Sequence, residues 1–206
     1  TLFNALTGAN QEVGNWPGVT VEKKEGHLKG HKDVMVVDLP GIYSLSPYTL
    51  EEVVTRDYII KEKPDVILNL VDASNLERNL YLTTQIVEMG IPTVIALNMM
   101  DIVKKRGDII NKDELSKKLG CVVVETSALK NEGSMAAAER AIQLAKETKE
   151  QKVEHNFDSK VEETLSSIET IIKAVVEKSQ LRWFSIKLFE RDEKAVAGLN
   201  LTAENK

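Results

Sequence analysis

The sequence holds a single cysteine, Cys121, which excludes an internal disulfide and any zinc or iron–sulfur site built from several cysteines. Histidine is almost as scarce. His27, His31 and His155 lie far apart, so a histidine-based metal site has no spacing to rest on. No apolar run approaches the roughly 18 residues needed to cross a bilayer. No signal peptide is visible, and the chain opens at Thr1 without a methionine, which reads as a start inside a longer protein. Excess positive charge is missing too. The net charge is −5, from 27 Lys+Arg against 32 Asp+Glu, which argues against a broad nucleic-acid surface. What remains is globular material: 206 residues, 42% hydrophobic and 29% charged, enough for one domain with an appendage.

The first 150 residues alternate short apolar runs with amphipathic stretches. The runs are Val34–Val37, Val66–Val71, Thr93–Leu97 and Cys121–Val124. Their length and β-branched content predict strands, and their lack of alternation predicts burial on both faces, as in a parallel sheet between helical layers. Helical periodicity is read over about 75–89, closed by Gly90 and Pro92, and over about 134–149. The expected fold is therefore α/β with a mostly parallel central sheet. Each run ends in polar residues, namely Asp38, Asp72, Asn98 and Thr126-Ser127. Ligands of open α/β sheets bind beyond the carboxyl ends of the strands, so these residues are expected to converge. After a charged link at 149–152 the pattern changes. Apolar residues from Phe157 to Val176 predict one amphipathic helix of about 20 residues, and Leu181–Phe189 predicts a second. The expected division is 1–150 and a small helical part at 153–206.

Three motifs carry chemistry. Asp38-Leu39-Pro40-Gly41 follows a strand, and a D-x-x-G at that place can direct its carboxylate to Mg²⁺ through water and its glycine N–H to a γ-phosphate. Asn98-Met99-Met100-Asp101 follows the next buried run but one. An ionised aspartate only accepts hydrogen bonds, and guanine offers two adjacent donors where adenine offers no such pair. Thr126-Ser127-Ala128 ends a further strand, and its small turn lets the Ala128 N–H approach a guanine O6. Each motif alone also fits an ordinary turn or helix cap. In this order they resemble the P-loop GTPase superfamily. A G-x-x-x-x-G-K-[ST] loop is not present in the sequence, but Thr1–Gly8 has the look of the helix that follows one, so this polypeptide is expected to bind GTP poorly as it stands.

Longer segments narrow the resemblance. Val13–Glu22 (with Gly14-Asn15-Trp16-Pro17-Gly18), Asp38–Tyr48, Val71–Thr83 and Asn98–Asp101 are similar to the cytosolic G domain of ferrous iron transport protein B, closely over about 1–150 and more loosely beyond, through Ile186–Glu190. The resemblance implies a P-loop GTPase three-layer fold followed by a small all-helical domain. It implies GTP/GDP and Mg²⁺ as ligands, with K⁺ beside the phosphates. Thr20 matches the switch I threonine that meets Mg²⁺ and γ-phosphate. Asp38 and Gly41 match switch II, and Asn98, Met99, Asp101, Ser127 and Ala128 match the base site. The backbone carbonyls of Gly14 and Trp16 match a K⁺-holding segment. Ile42 stands where Ras-like proteins place a water-orienting glutamine, which implies slow intrinsic hydrolysis, and no catalytic base is assigned. Met99 replaces the commoner lysine and offers apolar packing only, which implies weak nucleotide affinity and quick GDP release.

The implied role is GTP binding and hydrolysis that regulates or gates ferrous iron uptake, at the cytoplasmic face of the bacterial inner membrane, on a fragment itself soluble. The implied partners are guanine nucleotide and the transmembrane region of the same protein, with no nucleic acid and with homo-oligomerisation left open. Two alternatives stand beside it: a nucleotide-sensing module whose hydrolysis is incidental, and an Era-type ribosome-assembly GTPase. The second is disfavoured because 153–206 has no excess of basic residues. Trp16 reads as exposed, Asp72, Asn75 and Glu77 as helix caps, Glu51 and Glu52 as a solvated helix face, and Cys121 as a small buried hydrophobe.

Overall fold

The computed structural model describes residues 2–8, 11–46, 48–127, 130, 132–148, 157–193 and 199. A short α1 (Leu2–Thr7) precedes three antiparallel strands, β1 (Gln11–Asn15), β2 (Glu22–Leu28) and β3 (His31–Asp38). Then α2 (Leu50–Glu62), β4 (Ile67–Asp72), α3 (Leu76–Glu88), β5 (Thr93–Asn98), α4 (Met100–Arg106), α5 (Lys112–Leu119), β6 (Val122–Glu125) and α6 (Ser134–Glu147) alternate. The helical part consists of α7 (Ser159–Ile172) and α8 (Leu181–Phe189).

β4, β5 and β6 form a parallel sheet with β5 in the centre, and all six β5 residues are buried, as the unbroken apolar run requires. The sheet separates two cores. Ile95, Leu97 and Val71 meet Val87 of α3, Met100 and Val103 of α4, and Cys121 on one side. On the other, Leu6 of α1, Leu28 and Ala138 of α6 gather Leu68, Val34 and Val36 around them. The three-layer α/β expectation holds here.

The run at 34–37 behaves differently. It was read as a strand buried in a parallel sheet; β3 instead pairs antiparallel with β2 and is largely exposed to half-exposed. The reason lies in its other edge. β3 ends the antiparallel sheet and β4 ends the parallel one. Between them runs an apolar cleft of about 740 Å³, bordered by consecutive residues Val34–Asp38 of β3 and Val66–Leu70 at β4. Side chains alternate along a strand, so lining by consecutive residues means that strand edges face the gap rather than strand faces.

A third core joins the helical part to the rest. Ile172 and Val176 at the end of α7, and Trp183 and Phe184 of α8, pack with Leu45, Ile59 of α2, and Ile86 and Met89 of α3. Lys63 is ion-paired with Glu177, and Gln180 donates to the Ile60 carbonyl (3.4 Å). The predicted helix of about 20 residues is shorter than expected: α7 has 14, and residues 173–175 form a turn in which the Val175 and Val176 N–H groups both bond to the Ile172 carbonyl.

Candidate functional site

The polar strand ends converge as expected for the parallel sheet. Asp72 and Asn98 are register partners at the last rung of β4 and β5, and the Thr126 N–H extends the ladder to the Leu97 carbonyl (2.8 Å). Asp72 caps the following 3₁₀ turn through the Ser74 N–H (2.8 Å), in line with a capping role. Asn75 stands at the N-cap of α3 but makes no side-chain cap bond there.

Beyond β5 the chain turns sharply. Met99 adopts a left-handed backbone (φ 64°) as the N-cap of α4 and is 38% exposed, which delivers Asp101 into the first helical turn. Asp101 and Ser127 line one cavity of about 340 Å³, with Met100, Lys104, Glu125 and Thr126. Ser127 begins a closed loop: its N–H donates to the Glu132 carbonyl (2.9 Å), and its carbonyl accepts from Glu132 (3.1 Å) and Lys130 (3.1 Å). Gly133 closes that loop against β6, with the Glu125 carbonyl so near that a β-carbon would lie 2.2 Å from it. Ala128 lies outside the described residues. Three charged residues of this cavity, Lys104, Lys105 and Glu125, escaped sequence reasoning, as did Lys112 of α5, which reaches Glu125 from outside it. Lys112 (2.9 Å) and Lys104 (3.0 Å) both bond to the Glu125 carboxylate and hold it below the usual glutamate range. The one signal available was the i, i+3 spacing of Asp101 and Lys104 on a short helix.

Asp38 and Gly41 sit across the apolar cleft, at its lining. Desolvation pushes the Asp38 carboxyl above the usual aspartate range, with Lys24 opposing and Glu22 adding to the shift. The segment after Gly41 is anchored on α3. Gln85 Oε1 accepts from the Leu45 N–H (2.7 Å) and from Ser44 Oγ (3.3 Å), and the Arg78 guanidinium lies 3.8 Å above the Tyr43 ring. Glu52 completes a capping box: its carboxylate accepts from the Thr49 N–H (2.9 Å) while Thr49 Oγ accepts from the Glu52 N–H (3.3 Å). That cap gives Glu52 a structural task.

Thr20 is exposed and lies in the loop between β1 and β2, and Gly14 is exposed on β1. Trp16 corrects an expectation. It was read as exposed, yet it is 7% exposed, because its ring leaves the loop and packs against Tyr58 of α2. Its carbonyl accepts from the Val19 N–H (3.2 Å), which leaves the second lone pair free of that bond.

A family model described as ferrous iron transport protein B matches residues 1–141. The chain belongs to the ferrous iron transport protein B family. A second model, the FeoB cytosolic helical domain, matches residues 157–206. Among curated relatives, the Fe(2+) transporters FeoB of Escherichia coli (strain K12) and of Shigella flexneri are each 42% identical over 205 residues, covering 96% of this chain and 26% of theirs. The chain thus spans about a quarter of the length of these FeoB relatives. Among solved structures, the GDP-bound form of an S. thermophilus FeoB G-domain point mutant superposes with a TM-score of 0.94 at 47% identity, covering 99% of this chain and 78% of that one. The mGMPPNP-bound S. thermophilus NFeoB gives 0.88 at 48%, covering 99% and 77%. A GDP·AlF4⁻-bound mutant of the same protein gives 0.87 at 47%, covering 99% and 79%.

A divalent ion at this end of β3 would take oxygen donors. Asp38 fits that need: its carboxyl is desolvated and has Glu22 near it, so a cation there relieves an unfavourable charge. Among the described residues no group of three His, Cys, Asp or Glu side chains gathers to hold a metal by itself. Among the same residues no helix is long and apolar enough to cross a membrane.

Proposed function

We propose that residues 1–150 form the guanine-nucleotide-binding unit of a ferrous iron transporter and that residues 153–206 link it to the membrane part. The observation that carries this reading is the cavity shared by Asp101 and Ser127 beyond β5 and β6. The Asp101 carboxylate accepts the guanine N1–H and N2–H₂, Ser127 and Ala128 approach O6, Met99 packs on the base, and Asn98 braces the two loops. Thr20 and Asp38 hold Mg²⁺, whose chemistry is to neutralise charge developing on the phosphates. Gly41 offers its N–H to the γ-phosphate, and the Gly14 and Trp16 carbonyls serve K⁺. Hydrolysis is slow, because Ile42 cannot orient a water.

The phosphate-binding loop belongs in the cleft. A strand seated between the open edges of β3 and β4 joins two three-stranded sheets into one and runs into α1, whose Leu2, Phe3 and Leu6 line the same gap. Nucleotide state reaches the helical part through the segment after Gly41. Leu39, Ile42 and Leu45 touch the same core as Ile172, Val176 and Trp183, so a shift of that segment on binding or loss of γ-phosphate is felt at α7 and α8. At the cytoplasmic face of the bacterial membrane, that displacement gates ferrous iron uptake.

The test is nucleotide titration and turnover by this chain joined to an upstream G-x-x-x-x-G-K-[ST] strand and loop, in K⁺ and in Na⁺. GTP bound in preference to ATP, with faster turnover in K⁺, is expected. Equal use of ATP refutes the base assignment, and equal rates in the two salts refute the K⁺ assignment.

A further inference from the structure

The loop that carries Thr20 is tied to helix α2 by one ring. β1 and β2 pair as far as Asn15↔Glu22, and the Trp16 N–H then donates to the Val21 carbonyl (2.9 Å). Within that closure, Trp16-Pro17-Gly18-Val19 folds into a tight turn. Proline stands at its second position, Gly18 at its third with φ 77°, and the Val19 N–H bonds back to the Trp16 carbonyl (3.2 Å), the arrangement of a type II turn. Residues 16–21 therefore form a pinned loop in which Thr20 has little freedom relative to Trp16.

The Trp16 side chain is the loop's anchor. Its ring meets Tyr58 edge-on, with centroids 5.2 Å apart and planes at 72°. The Lys23 ammonium sits 5.3 Å from the ring centroid and is itself ion-paired with Glu25 (2.6 Å). The indole Nε1 is buried without a hydrogen-bond partner. The seat thus combines attraction, from ring contacts and apolar burial, with a standing penalty that vanishes when the indole swings out and meets water. Such a seat holds the indole without the hydrogen bond that would fix it there. Tyr58 lies on α2, which follows the Asp38–Gly41 segment in the chain, so the ring contact ties the Thr20 loop to the helix into which that segment leads.

We infer that Trp16 and Tyr58 form a positioning latch: docking of the indole on α2 sets where Thr20 stands relative to Asp38 and Gly41. Release of the latch frees the Thr20 loop while leaving the base cavity, on the far side of β4, unchanged. This inference rests on the guanine-nucleotide reading above, through the role given to Thr20. It makes Trp16 and Tyr58 positioning residues, which act through Thr20 without touching nucleotide.

The seat is tested first on the 206-residue chain. Trp183→Phe leaves Trp16 as the only tryptophan; where that core change perturbs folding, 5-fluorotryptophan labelling and ¹⁹F NMR of the otherwise unaltered chain report the two indoles separately. Trp16 is expected to be blue-shifted and shielded from acrylamide. Tyr58→Ala is expected to raise its quenching severalfold and to speed amide exchange at Val19 and Val21, while Tyr58→Phe, which keeps the ring, leaves both unchanged. A Trp16 already quenched like free indole, or one indifferent to Tyr58→Ala, overturns the latch. The positioning role is then read in the polypeptide carrying the upstream phosphate-binding loop. Tyr58→Ala is expected to lower GTP turnover at saturating nucleotide about five-fold or more, with GDP affinity retained and Tyr58→Phe restoring the rate. Undocking without any change in turnover overturns the positioning role. Absence of GTP binding by the unsubstituted protein overturns the guanine-nucleotide reading itself, and this inference with it.

Discussion

Replacing Gly133 with alanine tests whether the base loop is held shut by backbone contact. Two costs are expected. Gly133 has φ 74°, and an alanine forced into that left-handed region loses about 1–2 kcal/mol. The second is steric. The new β-carbon lies 2.2 Å from the Glu125 carbonyl and 3.2 Å from the Thr126 α-carbon, both of them backbone. Gly133 and the end of β6 must therefore move apart by about 1 Å, an overpacking worth about 1–3 kcal/mol. Gly107 provides the control. It shares the left-handed geometry (φ 79°), but nothing lies within 4 Å of its would-be β-carbon. Gly107→Ala thus loses only the first amount. Urea unfolding of both variants, with slopes compared to check that the unfolded states match, isolates the steric part. Hydrogen exchange at the Ser127 and Glu132 amides is expected to rise in Gly133→Ala alone. If the two variants unfold at the same midpoint, the close approach of Gly133 to β6 is refuted.

Other perturbations have outcomes as definite. Asp101→Asn removes an acceptor from two guanine donors and is expected to narrow the preference for GTP over ATP by about ten- to a hundredfold in nucleotide competition, provided the phosphate-binding loop is supplied; an unchanged preference contradicts the assignment. The Cys121 thiol is pushed up to about 12 by burial, so an aromatic disulfide reagent at pH 8 is expected to modify it only as fast as the chain opens, and reaction in native buffer at the rate of a small thiol contradicts the buried placement. Glu125 titrates below its ordinary range because Lys112 and Lys104 bond to it, so its contribution is present at neutral pH and is lost as pH falls from the ordinary glutamate value through the depressed one. The stability gap between the native chain and Glu125→Gln is expected to close over that acid interval; a gap that widens on acidification reverses the sign.

Legibility in the sequence followed burial. β5 was plain because all six of its residues are enclosed, and an unbroken apolar run has no other good use at that length. The polar residues Asp72, Asn98 and Thr126-Ser127 stood out for the same reason, as polar stops on apolar runs. β3 was misjudged because apolar residues beside an open cleft look like those inside a closed sheet. α5 went unread because none of its residues is buried, so Lys112–Leu119 carries no strong apolar stripe. Trp16 was taken as exposed from its neighbours Asn15 and Pro17, whereas its partner Tyr58 lies 42 residues away, a pairing that no local window contains. The length of α7 was overestimated because Val176, past the helix end, is still buried and prolongs the periodic pattern.

The core shared by the two parts has a consequence for how they come apart. Leu45, Ile59, Ile86 and Met89 owe their cover to Ile172, Val176, Trp183 and Phe184, and the reverse, so the helical part cannot detach without wetting apolar side chains on both sides, and heating would melt the two together rather than one after the other.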